Sequence, residues 1–184
     1  YLLNGSKSFI SGGPTSDLFL VMCRTGGEGA EGVSCFLVEK GSKGLSFGKQ
    51  EKKMGWNSQH TSMVNFDNCE IPIENIVGNE GDGFKIAMKG LDGGRVNIAA
   101  CSLGGARAAL ENSLTYSAER KQFGKTIDQF QVTQFKLADM ATELEASRLM
   151  VLRAATSLDS KDPQATKYCA MAKRFATDIC SDIC

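Results

Sequence analysis

Three short runs combine residue types that do chemistry. Arg120-Lys121-Gln122-Phe123-Gly124 sets two cations, an amide and an aromatic before a glycine, between two helical stretches. A guanidinium can fork onto pyrophosphate oxygens and an amide can bond neutral polar groups, so the run suits a dinucleotide. It equally fits a solvated basic loop between helices. Leu91-Asp92-Gly93-Gly94-Arg95 places an acid, two glycines and a cation where a helix is expected to begin near Arg95. Asp92 would cap that helix, and the glycines would allow a bend before it. Phe9-Ile10-Ser11 ends a strand-like stretch, with a turn expected at Gly12-Gly13-Pro14.

Other chemistries lack their parts. His60 is the single histidine, among polar residues in Asn57-Ser58-Gln59-His60-Thr61, and reads as a surface residue. No nucleophile motif accompanies it, so a Ser-His-Asp mechanism has no support. The seven cysteines, Cys23, Cys35, Cys69, Cys101, Cys169, Cys180 and Cys184, form an odd set among apolar residues and read as reduced, mostly buried thiols. Cys180 and Cys184 share a helical face, yet zinc wants four ligands, so no metal site is expected.

The elements that must position these runs come in two kinds. All but one of the 20 glycines lie at or before Gly105; from Ala106 onward Ala, Leu, Glu, Lys and Met dominate. Apolar or alternating runs at Leu18–Cys23, Val33–Val38 and Thr61–Phe66 predict strands, separated by Gly-rich turns at 26–29 and 41–44. They predict an antiparallel barrel or sandwich over about residues 1–75.

After Pro72 the spacing becomes helical, in four pieces. Phe84, Ala87, Met88 and Leu91 mark one; Leu103, Ala106, Leu110 and Leu114 a second. Phe135, Leu137, Met140, Leu144, Leu149, Val151 and Leu152 mark a third, beginning near Phe130. Asp162-Pro163 starts a fourth, which runs through Ala170, Ala172, Phe175, Ala176 and Ile179 without a stop signal. The fold class expected is α+β, with a β-domain over 1–76 and an up-down helical bundle over 77–184. The abrupt start and stop predict an excerpt of a longer protein.

Lys plus Arg and Asp plus Glu number 21 each, leaving no net field to attract a polyanion, and nucleic acid is not an expected partner. No apolar run reaches the roughly 20 residues of a membrane span.

Over essentially its full length the sequence resembles the acyl-CoA dehydrogenase family. The resemblance is carried by Leu3-Asn4-Gly5-Ser6-Lys7-Ser8-Phe9-Ile10-Ser11, Gly44-Leu45-Ser46-Phe47-Gly48, Lys53-Met54-Gly55-Trp56-Asn57-Ser58-Gln59, Gly78-Asn79-Glu80-Gly81-Asp82-Gly83-Phe84, Leu91-Asp92-Gly93-Gly94-Arg95 and Arg120-Lys121-Gln122-Phe123-Gly124.

The resemblance implies FAD as cofactor, with Phe9, Ile10 and Ser11 against the flavin ring. Arg120 would reach the pyrophosphate of a neighbouring subunit's FAD, with Gln122, Phe130 and Gln131 as further contacts. Asp92, Gly93, Gly94 and Arg95 would contact acyl-CoA. In some branches of the family the glutamate base stands at the position of Gly94; here it would lie beyond Cys184, so no catalytic residue is expected in this chain. The implied reaction removes a proton from Cα and a hydride from Cβ of a short, branched acyl-CoA, with isobutyryl-CoA of valine breakdown foremost. Electron-transferring flavoprotein would take the electrons, in the mitochondrial matrix, from a homo-oligomer built as a dimer of dimers. An enzyme of other chain specificity, an acyl-CoA oxidase-like enzyme and a non-catalytic scaffold relative are the competing readings.

Overall fold

The computed structural model describes every residue from Tyr1 to Cys184. Chain contacts divide it into two units, Tyr1–Met88 and Lys89–Cys184. Antiparallel sheets come first and a helical bundle follows, as the α+β expectation requires.

The first unit holds five strands: β1 (Leu2–Ser11), β2 (Leu18–Arg24), β3 (Val33–Glu39), β4 (Leu45–Gln50) and β5 (Thr61–Glu70). They form a three-stranded sheet in the order β1-β5-β4 and a two-stranded β2-β3 sheet, all antiparallel. β2 shows why the sheets pack: Phe19 and Val21 are buried, while Leu18 and Leu20 point out. Leu3, Phe36, Val38, Val64, Phe66, Cys69 and Ile71 complete one core drawn from both sheets. β1 carries no apolar alternation along most of its length and is held by pairing with β5, while β4 adds Leu45 and Phe47 to the core as well as pairing with β5.

Two residues break the β1–β5 ladder. The register shifts between Leu3 and Gly5, opposite Asn68, and again between Lys7 and Ile10, at Phe9. Both take left-handed backbone, Asn68 at φ 48 and Phe9 at φ 58. Asn68 is supported there, since its N–H donates to Asn4 Oδ1 at 2.8 Å. Val77 and Gly81, ahead of the first helix, tie back to β3: Val77 N–H donates to Cys35 O at 2.8 Å and Gly81 N–H to Ser34 Oγ at 3.0 Å.

Three long helices replace the four expected. The first two pieces are one continuous helix, α1 (Gly83–Glu119); the others are α2 (Gln131–Asp159) and α3 (Ala165–Ile183). Gly93 and Gly94 therefore sit inside α1 without breaking it, and Asp92 caps nothing. Glycine costs a helix about 1 kcal/mol, too little to stop one that is otherwise well packed. Asp162 Oδ1 accepts the N–H of Gln164 at 2.8 Å, one residue ahead of α3.

α3 organises the second unit. Ala165, Cys169, Ala172, Ala176, Cys180 and Ile183 recur at spacings of three and four and are all buried. They meet Ala99, Ala106 and Leu110 of α1 and Leu144, Val151 and Ala154 of α2. Asp92 contacts Thr166 at the start of α3, and Ile183 at its end joins Ala106 and Leu110, so α1 and α3 run parallel. α2 runs against both, since Arg153 meets Tyr168 and Leu144 clusters with Ile183. The result is an up-down-up bundle. Phe135, Leu149 and Leu152 of α2, expected on its core face, are instead exposed along with Val132.

Candidate functional site

The structure places the expected site residues in three groups. Phe9, Ile10 and Ser11 end β1 in the first unit. Ser11 pairs with Thr61, Gly12 N–H donates to His60 O at 2.7 Å, and Thr15 N–H donates to Gly12 O at 2.9 Å, closing the turn expected at Gly12-Gly13-Pro14. Ile10 packs on the sheet core while the Phe9 ring is 73% exposed. A bulky aromatic at positive φ is an outlier costing of order 1–3 kcal/mol, and such strain gathers at ligand sites. Ile10 and Ser11 also line a cavity of about 350 Å³ with Lys7, Phe19, Val64 and Phe66.

The second group surrounds the connection from α1 to α2. What reads as a basic loop is a tight hairpin: β6 (Lys121–Gln122) pairs with β7 (Lys125–Thr126) through Phe123 and Gly124, at φ 53 and 83. Two consecutive positive φ values are the demand of a two-residue hairpin turn, which Gly124 meets freely and Phe123 under strain. Arg120 N–H donates to the last carbonyls of α1 at Tyr116 O, and its own carbonyl accepts Ile127 N–H at 2.9 Å. With the backbone so fixed, the Arg120 side chain is exposed and has no acid or hydrogen-bond partner within the chain. Gln122, Phe123 and Gln131 are exposed beside it, and Phe130 is half-buried. Lys125, absent from the expected set, puts its Nζ 4.2 Å from the Phe130 ring centre.

The third group is on α1. Asp92 is buried and doubly bonded: Arg95 Nη1 donates to Oδ1 at 2.6 Å, and Thr166 Oγ1 of α3 donates to Oδ2 at 2.6 Å. Gly94 is exposed, has ordinary helical backbone, and a Cβ there would meet nothing within 4 Å. Asp92 lies inside the N-terminal part of α1 and Arg120 just past its last residue, about 40 Å apart at 1.5 Å per residue. The two groups of the second unit therefore cannot serve one small ligand.

The remaining reactive groups do not assemble. No cluster of three or more His, Cys, Asp or Glu side chains is placed to hold a metal. All seven cysteines are free thiols, and burial pushes those of Cys23, Cys35, Cys69, Cys169 and Cys180 up, toward the unreactive protonated form. His60 is half-buried rather than fully exposed. No helix is long and apolar enough to cross a membrane.

Residues 1–69 match the acyl-CoA dehydrogenase middle domain, and residues 81–184 the acyl-CoA dehydrogenase C-terminal domain. The chain belongs to the acyl-CoA dehydrogenase family. It is 57% identical over 184 residues to mitochondrial isobutyryl-CoA dehydrogenase of Bos taurus, covering all of this chain and 44% of the bovine protein. It also superposes, at TM-score 0.93 and 47% identity, on a chain of the solved electron transferring flavoprotein structure of Acidaminococcus fermentans, which concerns flavin-based electron bifurcation; the match covers all of this chain and 48% of the other. A solved FAD complex of PigA matches at TM-score 0.92 and 35% identity, over 98% of this chain and 47% of that one. The chain thus spans about half the length of these relatives.

Proposed function

We propose that this chain is the middle and helical portion of a flavin-dependent acyl-CoA dehydrogenase that acts on a short, branched acyl-CoA, isobutyryl-CoA foremost. The observation that carries the reading is the exposed Arg120 guanidinium, unpaired in its own chain, beside the rigid Lys121–Thr126 hairpin. An unpaired arginine on a fixed backbone, with an exposed amide and aromatics next to it, is the donor set a dinucleotide pyrophosphate needs. Gln122 and Gln131 offer neutral hydrogen bonds, and Phe130 offers an apolar face. In the other unit the exposed Phe9 ring and Ser11 hydroxyl fit the edge of a flat, polar heterocycle.

When bound, FAD supplies the hydride acceptor. Arg120 would neutralise its diphosphate charge, and Ser11 would offer a hydroxyl donor at the ring edge. Asp92 and Arg95 orient acyl-CoA, and Gly94 leaves room above α1 without contributing a carboxylate. The identity to a mitochondrial isobutyryl-CoA dehydrogenase supports valine breakdown in the mitochondrial matrix, and the likeness to an electron-transferring flavoprotein structure supports that flavoprotein as electron acceptor. The roughly 40 Å between Asp92 and Arg120 supports a homo-oligomer, a dimer of dimers, in which Arg120 serves a neighbouring subunit's FAD.

The test uses the full-length protein purified with FAD. Anaerobic mixing with isobutyryl-CoA, butyryl-CoA and isovaleryl-CoA should bleach the flavin fastest with isobutyryl-CoA. Reoxidation should be fast with electron-transferring flavoprotein and slow with air. A flavin that no acyl-CoA bleaches would overturn the activity, and rapid reoxidation by air would make the protein an oxidase.

A further inference from the structure

Arg95 is the cation of the stretch assigned to acyl-CoA, and its guanidinium makes one hydrogen bond within the chain, from Nη1 to Asp92 Oδ1. A carboxylate as buried as Asp92, 8% exposed, needs more than one partner. Its second comes from Thr166 Oγ1, 74 residues along the chain. Other helix threonines spend their hydroxyls differently. Thr115, Thr142 and Thr177 donate to the helix carbonyl four residues back, at 3.0, 2.8 and 2.8 Å. Thr166 lies in the first turn of α3, where such a carbonyl belongs to the connecting segment, and it turns instead to Asp92.

We infer that Thr166 is a positioning residue for substrate: it fixes the Asp92 carboxylate, which holds the Arg95 guanidinium and leaves its other N–H donors for phosphate or carbonyl oxygens of acyl-CoA. The inference rests on the reading that residues 91–95 contact acyl-CoA. It makes α3, which carries no expected site residue, part of the binding apparatus. Two short hydrogen bonds, one to each oxygen, leave the carboxylate one orientation. Arg95 acts on bound substrate in the ground and transition states alike, so its loss raises KM rather than lowering kcat.

The test compares Thr166→Val, Thr166→Ser, Arg95→Ala and the Thr166→Val/Arg95→Ala double variant in the full-length, FAD-loaded protein, with isobutyryl-CoA as substrate and melting temperature and FAD content followed in parallel. Thr166→Val should raise KM about tenfold with kcat within about twofold, the scale of one hydrogen bond to a charged group. Thr166→Ser, which keeps the donor, should hold the parent KM. The double variant should match Arg95→Ala alone, because Thr166 acts through Arg95. Additive KM effects, an unchanged KM in Thr166→Val, or Thr166→Ser as weak as Thr166→Val would each overturn the proposal. Arg95→Ala with an unchanged KM is a distinct result: it overturns the assignment of the 91–95 stretch to acyl-CoA, and the proposal with it.

Discussion

The Phe123 and Phe130 rings meet edge to face, their centroids 6.4 Å apart and their planes at 87°. This contact ties the hairpin tip to the residue before α2, and Lys125 over the same Phe130 ring closes it from the other strand. An aromatic pair of this geometry adds about 0.5–1.5 kcal/mol. The Arg120 guanidinium is thus presented from a braced hairpin rather than a free loop.

Replacing Arg120 by alanine should weaken FAD binding about ten- to a hundredfold, the loss of a charge-assisted contact worth roughly 1.5–3 kcal/mol. It should also loosen the oligomer. Because Arg120 has no partner in its own chain, the same change should move subunit stability by no more than about 0.5 kcal/mol. FAD titration of the apoprotein, with denaturant unfolding beside it, measures both; an unchanged FAD affinity would remove Arg120 from the cofactor site.

Phe9→Gly should separate stability from function. Glycine accepts φ 58 without the steric cost of about 1–2 kcal/mol borne by other residues, and the exposed ring has little packing to lose. The melting temperature should rise or hold while FAD retention falls. A variant with lower stability and full FAD content would mean that the ring serves the sheet alone.

Gly94→Ala should stabilise α1 by about 0.5–1 kcal/mol, since the position is helical and the added methyl meets nothing. If substrate passes over this residue, KM for acyl-CoA should rise in the same variant. Thermal unfolding and steady-state kinetics on one preparation give both readouts.

On α3 the expectation is opposite. Ala172 is fully buried where three helices meet, and Ala172→Leu should cost about 1–3 kcal/mol by forcing them apart. Denaturant unfolding reads the cost; a neutral result would show that α3 can shift.

Much of this was legible in the sequence. Alternation located β2, β3 and β5, the glycine clusters located their turns, and the small residues of the last helix marked its buried stripe. The error at 84–119 came from reading Gly93 and Gly94 as breakers, when their propensity cost is small against the packing of a long helix. The end of α2 carried no glycine to announce it, because Lys161 itself takes the left-handed position, at φ 55. Phe135, Leu149 and Leu152 follow helical spacing as well as Leu144 does, and periodicity alone does not say which apolar face is covered. The hairpin at Lys121–Thr126 hid because a left-handed phenylalanine is not a turn signal. The bond between Asp92 and Thr166 is long-range and leaves no local trace.

The two ladder irregularities, at Phe9 and Asn68, have a joint consequence. Asn68 adds a residue to β5 and Phe9 adds one to β1, so the offset that one opens the other closes. Leu2 faces Glu70 and Ser11 faces Thr61 in the same frame, while Gly5, Ser6 and Lys7 between them are displaced by one step. Inward positions consequently change parity twice, from Cys69 to Phe66 on β5 and from Lys7 to Ile10 on β1. Deleting either residue alone would turn part of one strand inside out, whereas deleting both would restore a plain ladder and remove the left-handed, exposed position that Phe9 holds. Indels here are tolerable only as a pair, and the residue that protects the geometry of Phe9 stands at the far end of the neighbouring strand.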